Sequence, residues 1–199
     1  MKPIFKDKKE LSVYFSFHPM TDEDEVRLEK AWRMYCGDYR GDGVMGACAE
    51  MLSATPHSKK TTISNSGRND NYINYRTASG HIIPVSCERK TSGGRIQTFE
   101  SEFSKAEHIQ GKFVIYSMDV CNSTTSYKRR YVPAVVIPRK LFVEKLEEFN
   151  AIKAVNKNHV LDGYAIQVSS KKLYNWLLDW PIVFDRTAVY SDDDFEGLE

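Results

Sequence analysis

The chain has 199 residues, 41% hydrophobic and 12% aromatic, with a formal net charge of +1. That content excludes a disordered chain and is enough for one sizeable core. No apolar run approaches the roughly 18 residues that span a bilayer. Met1–Asp7 lacks the apolar stretch of a secretory signal, so a cytoplasmic protein is expected.

In chain order, Thr21 before Asp22, Glu23 and Asp24 reads as a helix cap with acids in the first turn. Val26, Leu28 and Trp32 then supply an apolar stripe up to Gly37. A second helix is predicted from Asp42 or Gly43 through Leu52, bounded by Pro56. Residues 57–68 read as a basic loop with a short strand at 61–63. Residues 71–77 and 81–90 form a predicted hairpin, and 91–95 a flexible connection. Phe99, Phe103, Ala106 and Ile109 carry helical spacing. Residues 112–120 and 131–137 are predicted strands, separated by a polar, basic loop over 121–130. A helix follows from Pro138 to Phe149, then a strand over 163–168. A last helix, 171–180, carries Leu173, Trp176, Leu177 and Trp180 on one stripe, as core or dimer-interface anchors, and Pro181 ends it. The order α-α-β-β-α-β-β-α-β-α predicts a mixed α/β or α+β domain with helices covering a sheet. One domain over 1–199 is expected, with an N-terminal helical region near 20–55 and a C-terminal helical extension ending in an acidic tail.

Cys36, Cys48, Cys87 and Cys121 show no Cys-x-x-Cys pair and no zinc spacing, so reduced thiols are expected. The five histidines show no metal-ligand spacing either.

The hairpin carries the chemistry. A three-residue loop, Ala78-Ser79-Gly80, with glycine in the left-handed position, pairs Thr77 with His81. Counting back sets Tyr75 opposite Ile83, Ile73 opposite Val85 and Asp70 opposite Glu88. One face then carries Ile73, Tyr75, Ile83, Val85 and Cys87, with His81 in the same buried parity. The other carries Asp70, Ser86, Glu88 and Lys90. A one-residue slip would separate the two acids. Two carboxylates at that spacing are tolerable with a cation between them, and oxygen ligands favour Mg²⁺ or Mn²⁺. Such a metal activates water against a phosphodiester, with Lys90 placed to assist the nucleophile. The same residues can equally decorate a solvated sheet face, and Pro84 argues for an edge or a bulge.

At these residues the chain resembles the PD-(D/E)XK nuclease superfamily over about Met45–Val120. The shared features are a helix bearing an acid, an acid at a strand start, a hairpin with Glu88-Arg89-Lys90, a helix and a further strand. Asn69 stands where the motif has proline. The resemblance implies a restriction-endonuclease-like mixed sheet flanked by helices. It also implies metal binding by Asp70 and Glu88, a catalytic role for Lys90, and a supporting acid at Glu50.

Charge is uneven along the chain. Seven Lys or Arg between His57 and Arg95 face only Asp70 and Glu88, and 120–143 contains no acid. Lys59, Lys60, Arg68 and Arg95, with Lys128, Arg129 and Arg130, are therefore candidate DNA-phosphate contacts. A restriction-type or phage-associated Mg²⁺-dependent DNA endonuclease is the main expectation, as a homodimer if both strands are cut. The alternatives are a catalytically inactive nucleic-acid-binding or protein-interaction module of the same fold, and a structural protein whose acidic C-terminus binds a basic partner.

Overall fold

The computed structural model describes residues 7–14, 20–36, 51–55, 71–92, 98–101, 111–121, 129–150, 152–157, 160–167 and 171–198. Two helices come first, α1 (Lys8–Tyr14) and α2 (Asp22–Cys36). Thr21 and Asp24 cap α2 reciprocally. The Thr21 amide donates to Asp24 Oδ2 at 2.8 Å, and the Asp24 amide donates to Thr21 Oγ1 at 3.3 Å. Asp24 is wholly buried and also receives the Arg186 guanidinium, which ties α2 to the C-terminal segment. Arg27 adds a second tie, donating to the Ala54 carbonyl at 2.9 Å.

The hairpin follows as β1 (Asn71–Arg76) and β2 (Ile82–Ser92). Its register is the predicted one, with Tyr75 opposite Ile83, Ile73 opposite Val85 and Asn71 opposite Cys87. Gly80 adopts φ +83° and donates to the Thr77 carbonyl at 2.8 Å, closing the three-residue loop. Pro84 fits for a definable reason. The Thr77 amide donates to His81, so pairs alternate from there and Pro84 falls in a non-hydrogen-bonded position opposite Asn74. Its missing N–H faces away from β1, on a stretch where β2 has no second neighbour among the described residues, because pairing with β4 (Phe113–Cys121) begins only at Cys87.

After β3 (Thr98–Ser101), β4 runs parallel to β2, and β5 (Arg129–Pro138) returns antiparallel to it. Gly111 permits the β2–β4 approach. Its φ is +92°, and a Cβ there would stand 2.8 Å from the Ser86 carbonyl oxygen. A bulge in β5 sets Val135 against Tyr116 but Val132 against Met118, and Pro133 sits within it. The chain continues with α3 (Arg139–Glu148), β6 (Ile152–Lys157), β7 (Val160–Gln167), α4 (Lys171–Asp179), β8 (Val189–Tyr190) and a 3-10 turn at Asp192–Phe195. The main sheet has the order β5-β4-β2-β1-β8, and β3-β7-β6 form a second sheet.

The main sheet is curled, and its connectivity requires it. Residues 182–184 run along the outer edge of β5, where the Val136 amide donates to Ile182 and the Phe184 amide to Ala134 at 2.7 Å. β8 pairs with β1 at the opposite edge. With neighbouring strands about 4.8 Å apart, a flat sheet would hold those two lanes roughly 24 Å apart. The five steps from Phe184 to Val189 reach about 17 Å at most. The inner surface therefore closes on itself around Ile73, Tyr75, Cys87, Phe113, Ile115, Val136, Phe184 and Tyr190. The Tyr190 hydroxyl staples the closure, accepting from the Asp185 amide at 2.7 Å. The outer surface over β4 and β5 is covered by α3 and α4 through Val114, Tyr116, Phe142, Leu146, Leu173, Leu177 and Trp180. The Trp180 indole donates to the Val136 carbonyl at 2.8 Å, which bears out its core reading.

Several expectations are corrected. Residues 98–101 form a strand paired with β7 rather than the start of a helix, since pairing overrides a short helical spacing. β5 starts two residues earlier than expected, while α1, β6 and β8 are absent from the predicted order. His81 and Ile83 are exposed, because the hairpin tip extends beyond the closed core. Only Met51–Leu52 of the second predicted helix are described as helical, and the expected strand at 61–63 lies outside the described residues.

Candidate functional site

β2 changes partners along its length. Residues 82–87 pair with β1 and residues 87–92 with β4. Where the two ladders meet, polar side chains are buried together. Asn71 is fully buried and its Oδ1 accepts from Ser53 Oγ at 2.9 Å. Thr55 is buried in the same segment, Glu88 is 9% exposed and Arg89 is 5% exposed. Glu88 and Arg89 are adjacent in an extended strand, so they face opposite sides of the sheet. Glu88 shares its face with Val114, and Arg89 shares its face with Cys87 and Ile115. Burial of two charges and three neutral polar groups is costly without partners, so this junction is built around specific polar contacts.

The expected Mg²⁺- or Mn²⁺-dependent endonuclease site is corrected by this structure. Among the described residues, no group of three or more His, Cys, Asp or Glu could hold a metal ion. Glu88 is the one expected ligand whose side chain is described, and it lies buried beside the apolar Val114. The hydrolase activity, its metal and the nuclease reading fall with that cluster. Asp70 and Glu50 lie outside the described residues, as do Lys59, Lys60, Arg68, Arg95 and Lys128. Lys90 is placed by its backbone in β2, opposite Tyr116.

Arg130 lies four residues along β4 beyond Tyr116, the partner of Lys90, toward the end at which β2 also finishes. Arg129 and Arg130 open β5 opposite Cys121 and Val120, at the far end of the ladder that starts with Phe113 and Pro138. The β5 bulge matters here, because it shifts parity and returns position 130 to the face shared by positions 88 and 90. Among the described residues, Glu88 and Asp119 are the acids on these stretches of β2, β4 and β5.

The opposite end of β4 is acidic. Asp192, Asp193, Asp194 and Glu196 follow β8, and Lys112 reaches into this group. Its ammonium donates to the Tyr75 hydroxyl at 2.7 Å and to Asp192 at 3.3 Å, and lies 3.9 Å from the Tyr75 ring centroid. Burial works against the charged Lys112, but hydrogen bonds to Tyr75 and Asp192 outweigh it and leave its pKa above the ordinary lysine value. Burial also raises the Tyr75 phenol, while its hydrogen bond lowers the Asp192 carboxyl. Ammonium, phenol and carboxylate form a hydrogen-bonded clasp. Phe195 packs on Phe113 at 5.1 Å beside it.

No family model, curated protein or solved structure matches this chain. Function must therefore be read from its own residues. The buried Cys87 thiol is pushed well above the ordinary thiol range and stays protonated, so it supplies no nucleophile. No helix among the described residues is long and apolar enough to cross a membrane.

Two features escaped sequence reasoning. One is the Asp24–Arg186 pair, for which only the cap spacing Thr21-x-x-Asp24 gives a hint. The other is the buried polar junction. Asn71 is expected in the first hairpin strand and Ser53 just past the second predicted helix, but nothing in the sequence links two polar residues 18 positions apart.

Proposed function

We propose that this chain is a non-catalytic nucleic-acid-binding module on a restriction-endonuclease-like core. Its contact surface is the end of the main sheet where Lys90, Arg129 and Arg130 lie. The observation that carries this reading is the register, which sets Lys90 and the two arginines on the two strands flanking β4, toward one end of the sheet, with Glu88 and Asp119 as the acids among the described residues on these stretches. The antiparallel hairpin and the later strand β4 support the PD-(D/E)XK resemblance in part, while residues 98–101 form a strand where the resemblance expects a helix to begin. On this reading the fold and its basic rim persist and the hydrolytic chemistry is gone. Backbone phosphates are the target, since basic side chains at strand ends position a duplex without reading its bases.

The test is association of the full chain with a generic labelled duplex, followed by fluorescence anisotropy across a salt series. Binding should weaken steeply with salt. The double variant Arg129→Ala, Arg130→Ala should lower the log–log salt slope by about two, roughly one for each phosphate left without its arginine. The duplex should stay intact in Mg²⁺ or Mn²⁺. Salt-insensitive association, or an unchanged slope in the double variant, would overturn the reading. Metal-dependent cleavage would overturn its non-catalytic half.

A further inference from the structure

At the hairpin end the molecule leaves apolar surface uncovered. Ile82 is 53% exposed, Val189 is 38% exposed and Pro84 is exposed between them. The three share one face of the sheet. Pro84 pairs with Asn74, Asn74 pairs with Val189, and Ile82 lies one alternation further along β2. α3 and α4 cover this face over β4 and β5, and the described sheet ends at β8, an edge strand of two residues. On this face Asn74 and Arg76 of β1 lie between the β2 residues and β8, so the surface is partly apolar and suited to an extended segment lying across the three strands. Directly after β8 come the exposed acids Asp192, Asp193, Asp194 and Glu196. Lys112 offsets Asp192, and among the described residues Arg76, opposite Ile82, and Arg139, whose amide donates to the Lys112 carbonyl, are exposed bases at this end, against the exposed acids Asp193, Asp194 and Glu196.

We propose that the face carrying Ile82, Pro84 and Val189 docks an extended basic segment of a partner protein that crosses β2, β1 and β8 toward the acids after β8. Its apolar side chains would lie on the exposed face and its lysines or arginines against the acids after β8. Charge complementarity selects a basic occupant, and the apolar face adds what charge alone does not supply. This surface lies at the opposite end of β4 from Arg129 and Arg130, so peptide docking here is independent of nucleic-acid binding there.

The probe is a labelled peptide of about ten residues alternating lysine and valine, the spacing that puts one residue type on each face of a strand. Two matched peptides alternate lysine with serine and glutamate with valine. The full chain should bind the lysine–valine peptide, more weakly as salt rises. Affinity should fall about tenfold in the double variant Ile82→Ser, Val189→Ser, since two half-exposed side chains no longer offer apolar surface. Asp193→Asn should weaken binding without touching the apolar face. Unchanged circular dichroism would show that these variants fold. Equal binding of the lysine–serine peptide would overturn the apolar contribution, and equal binding of the glutamate–valine peptide would overturn the charge contribution. No binding of any peptide would overturn the proposal. So would wild-type self-association in sedimentation that Ile82→Ser abolishes, which would assign the face to a second copy.

Discussion

The two halves of β2 invert the usual distribution of side chains. Its first residues, Ile82, Ile83 and Pro84, are apolar and stand in solvent, Ile83 at 42% exposure. Its later residues, Glu88 and Arg89, are charged and lie inside. Among the described residues, one strand passes from an arm with a single neighbour to the centre of a curled sheet, and burial follows the partners available more than the residue type. Exposed apolar surface and buried polar groups are the observations that point to function, because neither is what folding alone selects. The inner half marks where the fold has committed charge to specific contacts. The outer half marks where it has left apolar surface for something else.

The contrast breaks most sharply at the buried half. Arg89→Ala removes a buried charge and strands the groups around it, and should cost roughly 3 kcal/mol in urea unfolding. A similar loss is expected for Arg186→Ala, which leaves the wholly buried Asp24 carboxylate without its cation. A loss under about 1 kcal/mol in either would show that these charges are solvated in practice. Gly111→Ala should follow, at about 2 kcal/mol, because it places a Cβ against Ser86 at a positive φ.

The closure of the sheet gives a pH signature. Burial holds the Tyr190 phenol up at about 12, above the value near 10 of an exposed phenol. The folded chain keeps a proton that the unfolded chain gives up. This contribution to stability is complete below about pH 10 and is lost as pH rises toward about 12. Tyr190→Phe should flatten that stretch of the alkaline unfolding curve followed by circular dichroism. The smallest effect belongs to the outer half. Ile82→Ser should change stability by no more than about 0.5 kcal/mol, since the side chain already faces water. A larger loss would mean that the tip is packed rather than presented.

Local chemistry was legible in the sequence. The cap at Thr21, the left-handed Gly80 and the parity of the hairpin loop specified α2 and the β1–β2 register correctly. The placement of Pro84 followed from its missing donor. Long-range pairing was not legible. β8 is two residues long and exists only because 182–184 and 189–190 pair with opposite edges of a sheet formed much earlier in the chain. β3 and β6 are strands because β7 lies between them. The metal site was inferred from parity, and parity says which face a residue occupies but not whether a third ligand joins it. The bulge near Pro133, which brings Arg130 to the face of Lys90, left no trace beyond the proline itself.

The division of labour between the two ends of the sheet can be read residue by residue from amide hydrogen exchange, with and without a duplex at low salt. Added protection should be confined to residues 88–92 and 129–132, with the duplex recovered uncut and residues 82–84 unchanged. Protection at the 82–84 tip, or none at either strand end, would contradict the assignment of nucleic-acid contact to the basic end.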